Sequence, residues 1–422
     1  MSANVTPFAY NSTPEEELLL CALRSEIDSE TAARMQTLVQ QGIDWDQLCS
    51  LATDHKMVAL FLRNLDKVCP SAIPDAFRRE LKTQIQINIQ GNLFLTKELV
   101  TLLNLFSQQK IVAIPYKGPV LAAAVYGDLT LRSFNDLDIL VQEADVVRAM
   151  ELLQVQGYQL IRPLSLAHLA KELQPEQIRK LVANSSWAYQ LVMAHSTRKI
   201  VVELHWRIVP RYTFAAACAE LWENQHPVSI AGATVSTFSP ENLLWFLCVH
   251  GSKHQWERLS WICDIAQLLH TYPGLDWRWL IDYAKQKGIS RRLYLGLLLA
   301  HKLLNAPLPQ SIQTELAAGP VLQTLARTAI KAISDESDTD SEQSHLSGLP
   351  FQVRTMDRNV DRARYVASIV GLLLTPTAED RNLLRLPSLF SPLYYLVRPL
   401  RLGVSYGITS MRRLFTIPNK AL

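Results

Sequence analysis

Closely spaced cysteines are missing from this chain of 422 residues. Its six cysteines, Cys21, Cys49, Cys69, Cys218, Cys248 and Cys263, form no Cys-x-x-Cys pair, which argues against zinc ribbons and thioredoxin-type redox sites. Scattered thiols in a chain of this size read as reduced, buried small hydrophobes and point to the cytosol. Long apolar runs are missing too, since the longest, residues 366–374, stops well short of a bilayer. The N-terminal MSANVTPFAYNSTPEEE has no basic stretch leading into an apolar run, so no secretory signal is expected. Neither sign of charge dominates: 42 Lys and Arg against 39 Asp and Glu give a formal net charge of +3, too mild for a protein that wraps nucleic acid. With 48% hydrophobic and 19% charged residues, the composition is globular, and the length asks for two or three packed units.

The first hundred residues carry helical signals. Thr13-Pro14-Glu15-Glu16 combines a capping hydroxyl, a proline at the first helical position and a glutamate three residues after the cap. Apolar residues then recur at helical spacing through Leu18, Leu19, Ala22 and Leu23. A further helix is expected near Asp44-Trp45-Asp46, and a longer one over residues 84–108. From Ile111 the texture changes to short strands at 111–114, 136–141 and 158–161, with a short helix at 120–125 and another at 144–156. Runs 187–194 and 199–209 flank His195-Ser196-Thr197-Arg198 and predict a hairpin. Helices return at Pro240. Asp44-Trp45 and Asp276-Trp277 begin similar runs, which fits two Asp-capped helices each anchored by a Trp better than a duplicated unit.

The residues that promise chemistry are acidic. Side chains alternate along a strand, so Asp136 and Asp138 share one face while Leu137 and Ile139 share the other. Two carboxylates bracketed by aliphatics are costly unless a cation sits between them. In Val201-Val202-Glu203-Leu204-His205-Trp206 the pattern returns, with Glu203 and His205 on one face. If these strands are neighbours, three carboxylates converge in a geometry suited to two metal ions and in-line attack on a phosphate. Upstream, Tyr116-Lys117-Gly118 ends a strand before a helix, a place where glycine lets backbone approach a phosphate and Lys117 adds positive charge.

The series Lys117-Gly118, Tyr126-Gly127-Asp128, Arg132 and Asp136-Leu137-Asp138-Ile139-Leu140-Val141 resembles the signature of uncharacterised bacterial nucleotidyltransferases of the polymerase-β-like superfamily. The resemblance continues through Glu203-Leu204-His205-Trp206, His250-Gly251-Ser252-Lys253-His254 and residues 259–264. It implies an α+β fold, a small mixed-sheet core flanked by N- and C-terminal helical regions. It further implies Asp136, Asp138 and Glu203 as catalytic, Mg²⁺-binding acids in a two-metal site. Lys117, Gly118, Arg132 and Lys253 are the expected nucleotide contacts, with a structural ion pair to one of the aspartates, Asp136 or Asp138, an equal reading for Arg132. The implied reaction moves a nucleoside monophosphate from an NTP to a hydroxyl-bearing acceptor and releases pyrophosphate. Pro119 stands where the superfamily usually has Ser or a second Gly, and so removes a phosphate donor; the third acid is Glu rather than Asp. The alternative is a catalytically inactive nucleotide-binding or protein-interaction module that keeps the fold.

Five segments are expected: helical 1–108, the α/β core 109–239, helical 240–332, an acidic flexible linker 333–350 and a helical tail 351–422. Asp338, Asp340 and Glu342 in the linker read as solvated rather than as a cation site. His250 and His254, one helical turn apart, lack a third zinc ligand and read as polar packing or substrate contacts. Asp264 reads as a helix-packing partner, and Trp206, Trp245, Trp256 and Trp261 as core anchors. Residues 393–415 mix Arg398, Arg401, Arg412 and Arg413 with aromatics. Docking of this tail on the body is favoured over peripheral contact with anionic lipid, because Pro399 and two glycines interrupt it. A small-molecule or protein acceptor is favoured over nucleic acid.

Overall fold

The computed structural model describes residues 13–161, 174–211, 213, 219–334, 348–376, 378–384, 387–401 and 403. Five helices come first: α1 (Pro14–Ala22), α2 (Ser29–Gln41), α3 (Trp45–Asp54), α4 (Val58–Val68) and α5 (Asp75–Gln108). Thr13 closes the expected capping box with Glu16, and the Asp44 carboxylate accepts the amides of Asp46 and Gln47. Helix α5 begins nine residues before the expected start, behind Pro74.

The strands follow as β1 (Ala113–Pro115), β2 (Asp136–Val141), β3 (Tyr158–Ile161), β4 (Gln190–His195) and β5 (Val201–His205). A three-residue helical turn, α6 (Pro119–Leu121), runs into a π-helical turn at Ala122–Tyr126. Gly127 ends that turn in the left-handed region at φ 66°. Helix α7 (Val146–Val155) links β2 to β3, and α8 (Pro175–Asn184) precedes β4. The sheet order is β1-β2-β5-β4-β3. Strands β2 and β5 run parallel in its centre and the other neighbours run antiparallel. The expected hairpin between β4 and β5 is present.

After a short α9 (Glu220–Glu223), strands β6 (Gln225–Ile230) and β7 (Ala233–Phe238) form a separate hairpin. Its turn places Ala231 at φ 47° and Gly232 at φ 79°, the left-handed pair that a tight hairpin requires. The helices α10 (Pro240–Lys253), α11 (Leu259–Thr271), α12 (Trp277–Lys287), α13 (Ser290–Leu304), α14 (Gln310–Ala317) and α15 (Pro320–Ser334) follow. Asp276 caps α12 through the Trp279 amide, as Asp44 caps α3. Later helices span Leu349–Thr355, Asn359–Leu374 and Ala378–Leu383.

Strand alternation divides the core. Leu137, Ile139, Val202 and Leu204 face an apolar cluster shared with α5 and α7. Leu140, Tyr116 and Ile114 belong to a second cluster, which unites α1, α3 and α4 with α10, α11 and α13. The N-terminal helices and those after the sheet therefore share one apolar body, and the acidic face of β2 and β5 looks toward it. No helix among the described residues is long and apolar enough to cross a membrane. Asp338, Asp340 and Glu342 lie outside the described residues, as do Arg412 and Arg413. The Asp380 carboxylate accepts Arg401 Nε at 2.6 Å and lies 3.4 Å from Arg398 Nη1, so these two arginines pair within the C-terminal segment.

Candidate active site

Parallel pairing sets the site. Asp138 lies directly opposite Glu203, and Asp136 opposite Val201. Two residues on along both strands, Leu140 faces His205. Asp138, Glu203 and His205 each offer a ligand atom within 4.8 Å of the others. His205 Nε2 is 3.3 Å from both Asp138 Oδ1 and Glu203 Oε2, yet neither of its ring nitrogens has a hydrogen-bond partner among the described residues. Asp136 lines the same cleft without joining this trio. The sequence placed His205 beside Glu203 on the strand face and gave it no role.

The buried acids are unequal. Lys117 Nζ lies 2.9 Å from Asp138 Oδ1. Burial opposes ionisation of Asp138, but Lys117 and His205 outweigh it and hold this carboxyl well below the usual range. Burial and then the Asp138 charge push Asp136 up to about 6, against the pull of Lys117. Burial also works against the Lys117 ammonium, but Asp138 and Glu203 raise it above the usual lysine value. For His205 the two nearby carboxylates likewise outweigh burial and raise the imidazole. Asp138 Oδ2 is buried with no hydrogen-bond partner among the described residues, which is costly for a carboxylate oxygen unless a cation can reach it. Two carboxylates and an imidazole suit a divalent cation, so this donor set fits the metal that the fold calls for.

Gly118 is required by geometry. It sits at φ 56°, ψ −126°, and an added Cβ would lie 3.2 Å from the Asp136 carbonyl oxygen. The chain leaving β1 therefore crosses close over the start of β2, where any side chain would crowd it.

A cleft of about 300 Å³ brings together Asp136, Asp138, Glu203, Lys117, Gly118, Arg132 and Lys253. Within it Arg132 is committed to Asp264, through Nε at 2.7 Å and Nη2 at 2.9 Å. Tyr126 donates to the same carboxylate at 2.9 Å, so Asp264 is the packing partner expected of it. Lys253 donates to the Tyr189 hydroxyl at 2.7 Å. His250, His254 and Trp261 also line the cleft, and burial holds the His250 imidazole well below its usual pKa. Trp245, Trp256 and Trp206 are core residues. Sequence reasoning missed Lys56, Tyr189 and Arg258 on the cleft wall. They come from separate turns and loops, and no periodic pattern marks them.

A mixed sheet with paired acids on neighbouring central strands, covered by helices, defines an α+β nucleotidyltransferase fold. Residues 41–305 match the family model described as uncharacterised nucleotidyltransferase. The chain belongs to that family. No curated protein matches it.

Proposed function

We propose that the cleft transfers a nucleoside monophosphate from an Mg²⁺-bound NTP to a hydroxyl group of an acceptor, releasing pyrophosphate. The observation that carries this reading is the direct pairing of Asp138 with Glu203 across two parallel strands, with Asp136 one alternation away. Asp138, Glu203 and His205 would hold one divalent cation, and Asp136 would complete the set for a second. When bound, such ions neutralise the departing pyrophosphate and lower the pKa of the acceptor hydroxyl.

The remaining roles belong to the chain's own groups. Lys117 holds a fixed positive charge against Asp138 and keeps that carboxylate ionised. The Glu203 carboxyl, about a quarter exposed, faces the open side of the cleft and orients the acceptor hydroxyl. The Asp136 carboxylate, beside the acceptor hydroxyl, takes up its proton. Gly118 lets the nucleotide's phosphates approach the backbone. The Arg132–Asp264 pair holds the loop before β2 against α11 and so fixes where Asp136 points. Catalysis here rests on positioning and charge, as expected for phosphoryl chemistry. The five cysteines among the described residues, Cys21, Cys49, Cys69, Cys248 and Cys263, are buried and free, which fits a reducing cytoplasm.

The test is pyrophosphate release from each Mg·NTP over a panel of sugars, small-molecule alcohols and hydroxyl-bearing proteins. Asp138→Asn should lose at least about a hundredfold in rate while still unfolding cooperatively, at a stability lowered by the loss of the Lys117 ion pair. An Asp138→Asn enzyme with undiminished turnover sinks the reading. Calorimetric binding of Mg·NTP with no turnover on any acceptor favours an inactive nucleotide-binding module.

A further inference from the structure

The acidic cluster is only half of the cleft. Lys56 and Arg258 line it as well, and neither has a carboxylate partner within ion-pair distance among the described residues. Lys56 belongs to the turn between α3 and α4, and Arg258 to the loop between α10 and α11. Both turns carry left-handed backbone at non-glycine residues: Lys56 at φ 58°, Gln255 at φ 55° and Trp256 at φ 63°. Such conformations are costly and persist where surrounding structure enforces them, often at functional sites. The turns are tied together, since the Leu259 amide donates to His55 Nδ1 at 3.4 Å. Burial and then Arg258 lower the Lys56 pKa, Asp136 pulls it the other way and Arg132 lowers it further, so Lys56 and Arg258 feel one another within the cleft. Meanwhile Pro119 has no N–H, and α6 is a three-residue turn that runs into π-helical geometry. The glycine loop therefore offers few amide donors to a polyanion.

We propose that Lys56 and Arg258 form the subsite for the terminal phosphates of a triphosphate, supplying by side-chain charge what the Gly118-Pro119 loop cannot supply by backbone. The proposal rests on the nucleotidyltransferase reading and assigns it two further substrate-binding residues. Arg258 lies over the Trp261 ring, 5.8 Å from its centroid, and Lys56 is set in a left-handed turn, so binding neutralises repulsion already present at a lower ordering cost than on freely moving side chains. Arg258 gives a planar fork for two phosphate oxygens, and Lys56 a point charge.

The test is calorimetric binding of the four Mg·NTPs, AMP and inorganic tripolyphosphate to wild type, Lys56→Met, Arg258→Met and the double variant. Each single substitution should weaken triphosphate and tripolyphosphate binding about tenfold and leave AMP nearly unchanged. Lys56→Gly should weaken binding equally while raising the melting temperature, because glycine relieves the left-handed backbone. A double variant with wild-type triphosphate affinity, or one that loses AMP and triphosphate equally, overturns the proposal. Tripolyphosphate binding that depends on Lys56, with no Mg·NTP binding, keeps the subsite and sinks nucleotidyl transfer. Mg·NTP binding indifferent to both residues keeps nucleotidyl transfer and sinks the subsite, and wild type that binds neither probe sinks both.

Discussion

Asp136→Asn should stabilise the metal-free protein while abolishing its chemistry. The Asp136 carboxyl is raised from 3.8 to about 6 in the folded protein, by burial first and by the Asp138 charge second. A carboxyl raised on folding favours the folded state only while it holds its proton. Its contribution is complete below the unfolded value and is lost as pH climbs through the folded one. Near pH 7 both states are ionised, and the folded state carries the full penalty. A shift of this size corresponds to about 3 kcal/mol, at roughly 1.4 kcal/mol per pKa unit. Asparagine keeps the shape and removes the charge, so it should recover about 1–3 kcal/mol, the lower part of the range if its amide finds no acceptor. The assay is denaturant unfolding in EDTA near pH 7.5 and again near pH 5. At the lower pH the wild-type group is largely protonated when folded, so the gain should shrink to about half. Added Mg²⁺ should stabilise wild type more than the variant, which keeps the Asp138, Glu203 and His205 set but loses the site that Asp136 completes. A variant no more stable than wild type in EDTA, or a gain independent of pH, refutes the reasoning.

Asp264→Asn should cost about 3–5 kcal/mol, because it strands the buried Arg132 guanidinium that the carboxylate binds through two nitrogens. Combining Arg132→Met with Asp264→Leu should restore most of that stability, and a double-mutant cycle from urea unfolding measures the coupling. Gly251→Ala should destabilise by at least about 2 kcal/mol, since the added Cβ would meet the Trp256 ring at 2.3–2.5 Å. Differential scanning calorimetry reads that cost, and an unchanged melting temperature would mean that Trp256 can move aside.

The parts of this molecule that the sequence showed are those whose signals are local. The six residues of β2 carry their own alternation, with Leu137 and Ile139 buried behind Asp136 and Asp138, and the strand begins and ends where that pattern does. Capping chemistry is equally local, which is why Thr13, Asp44 and Asp276 marked their helices. The start of α5 was missed although Pro74-Asp75 is itself a helix-start signal; the polar stretch after it hides the apolar periodicity. The β6–β7 hairpin was not resolved into strands either, although Ala231-Gly232 carries a turn signal. The convergence of acids needed strand neighbourhood, which alternation does not give: Asp138 opposite Glu203 is a fact of register. Lys56 was illegible for a stronger reason. It lies 80 residues before Asp136 in a left-handed turn, and only the shared apolar body of the N-terminal helices with α10 and α11 brings it to the cleft. Arg132 shows the converse, a basic residue in a phosphate-binding pattern whose charge is spent on Asp264.

The family match ends at residue 305, yet the cleft depends on chain beyond it. Gln352, in the helix Leu349–Thr355, donates its side-chain amide to the carbonyls of Ser252 at 2.8 Å and Lys253 at 2.9 Å. Those carbonyls end α10, the helix that delivers Lys253 to the cleft, and the loop from Lys253 to Arg258 follows directly. A helix end left with open carbonyls in a buried setting is costly, so Gln352 fixes the end of α10 from outside the matched region. On the sheet side, the Thr237 hydroxyl donates to the Pro115 carbonyl at 2.7 Å, holding β7 against the strand that leads into Lys117 and Gly118. The acids are therefore fixed by strand register, while the surrounding cations are fixed by cross-ties between distant segments. Lys117 already meets Asp138 at 2.9 Å, so under the proposed function a bound metal–triphosphate would supply counter-charges chiefly to Asp136 and Glu203 on one side and to Lys56 and Arg258 on the other.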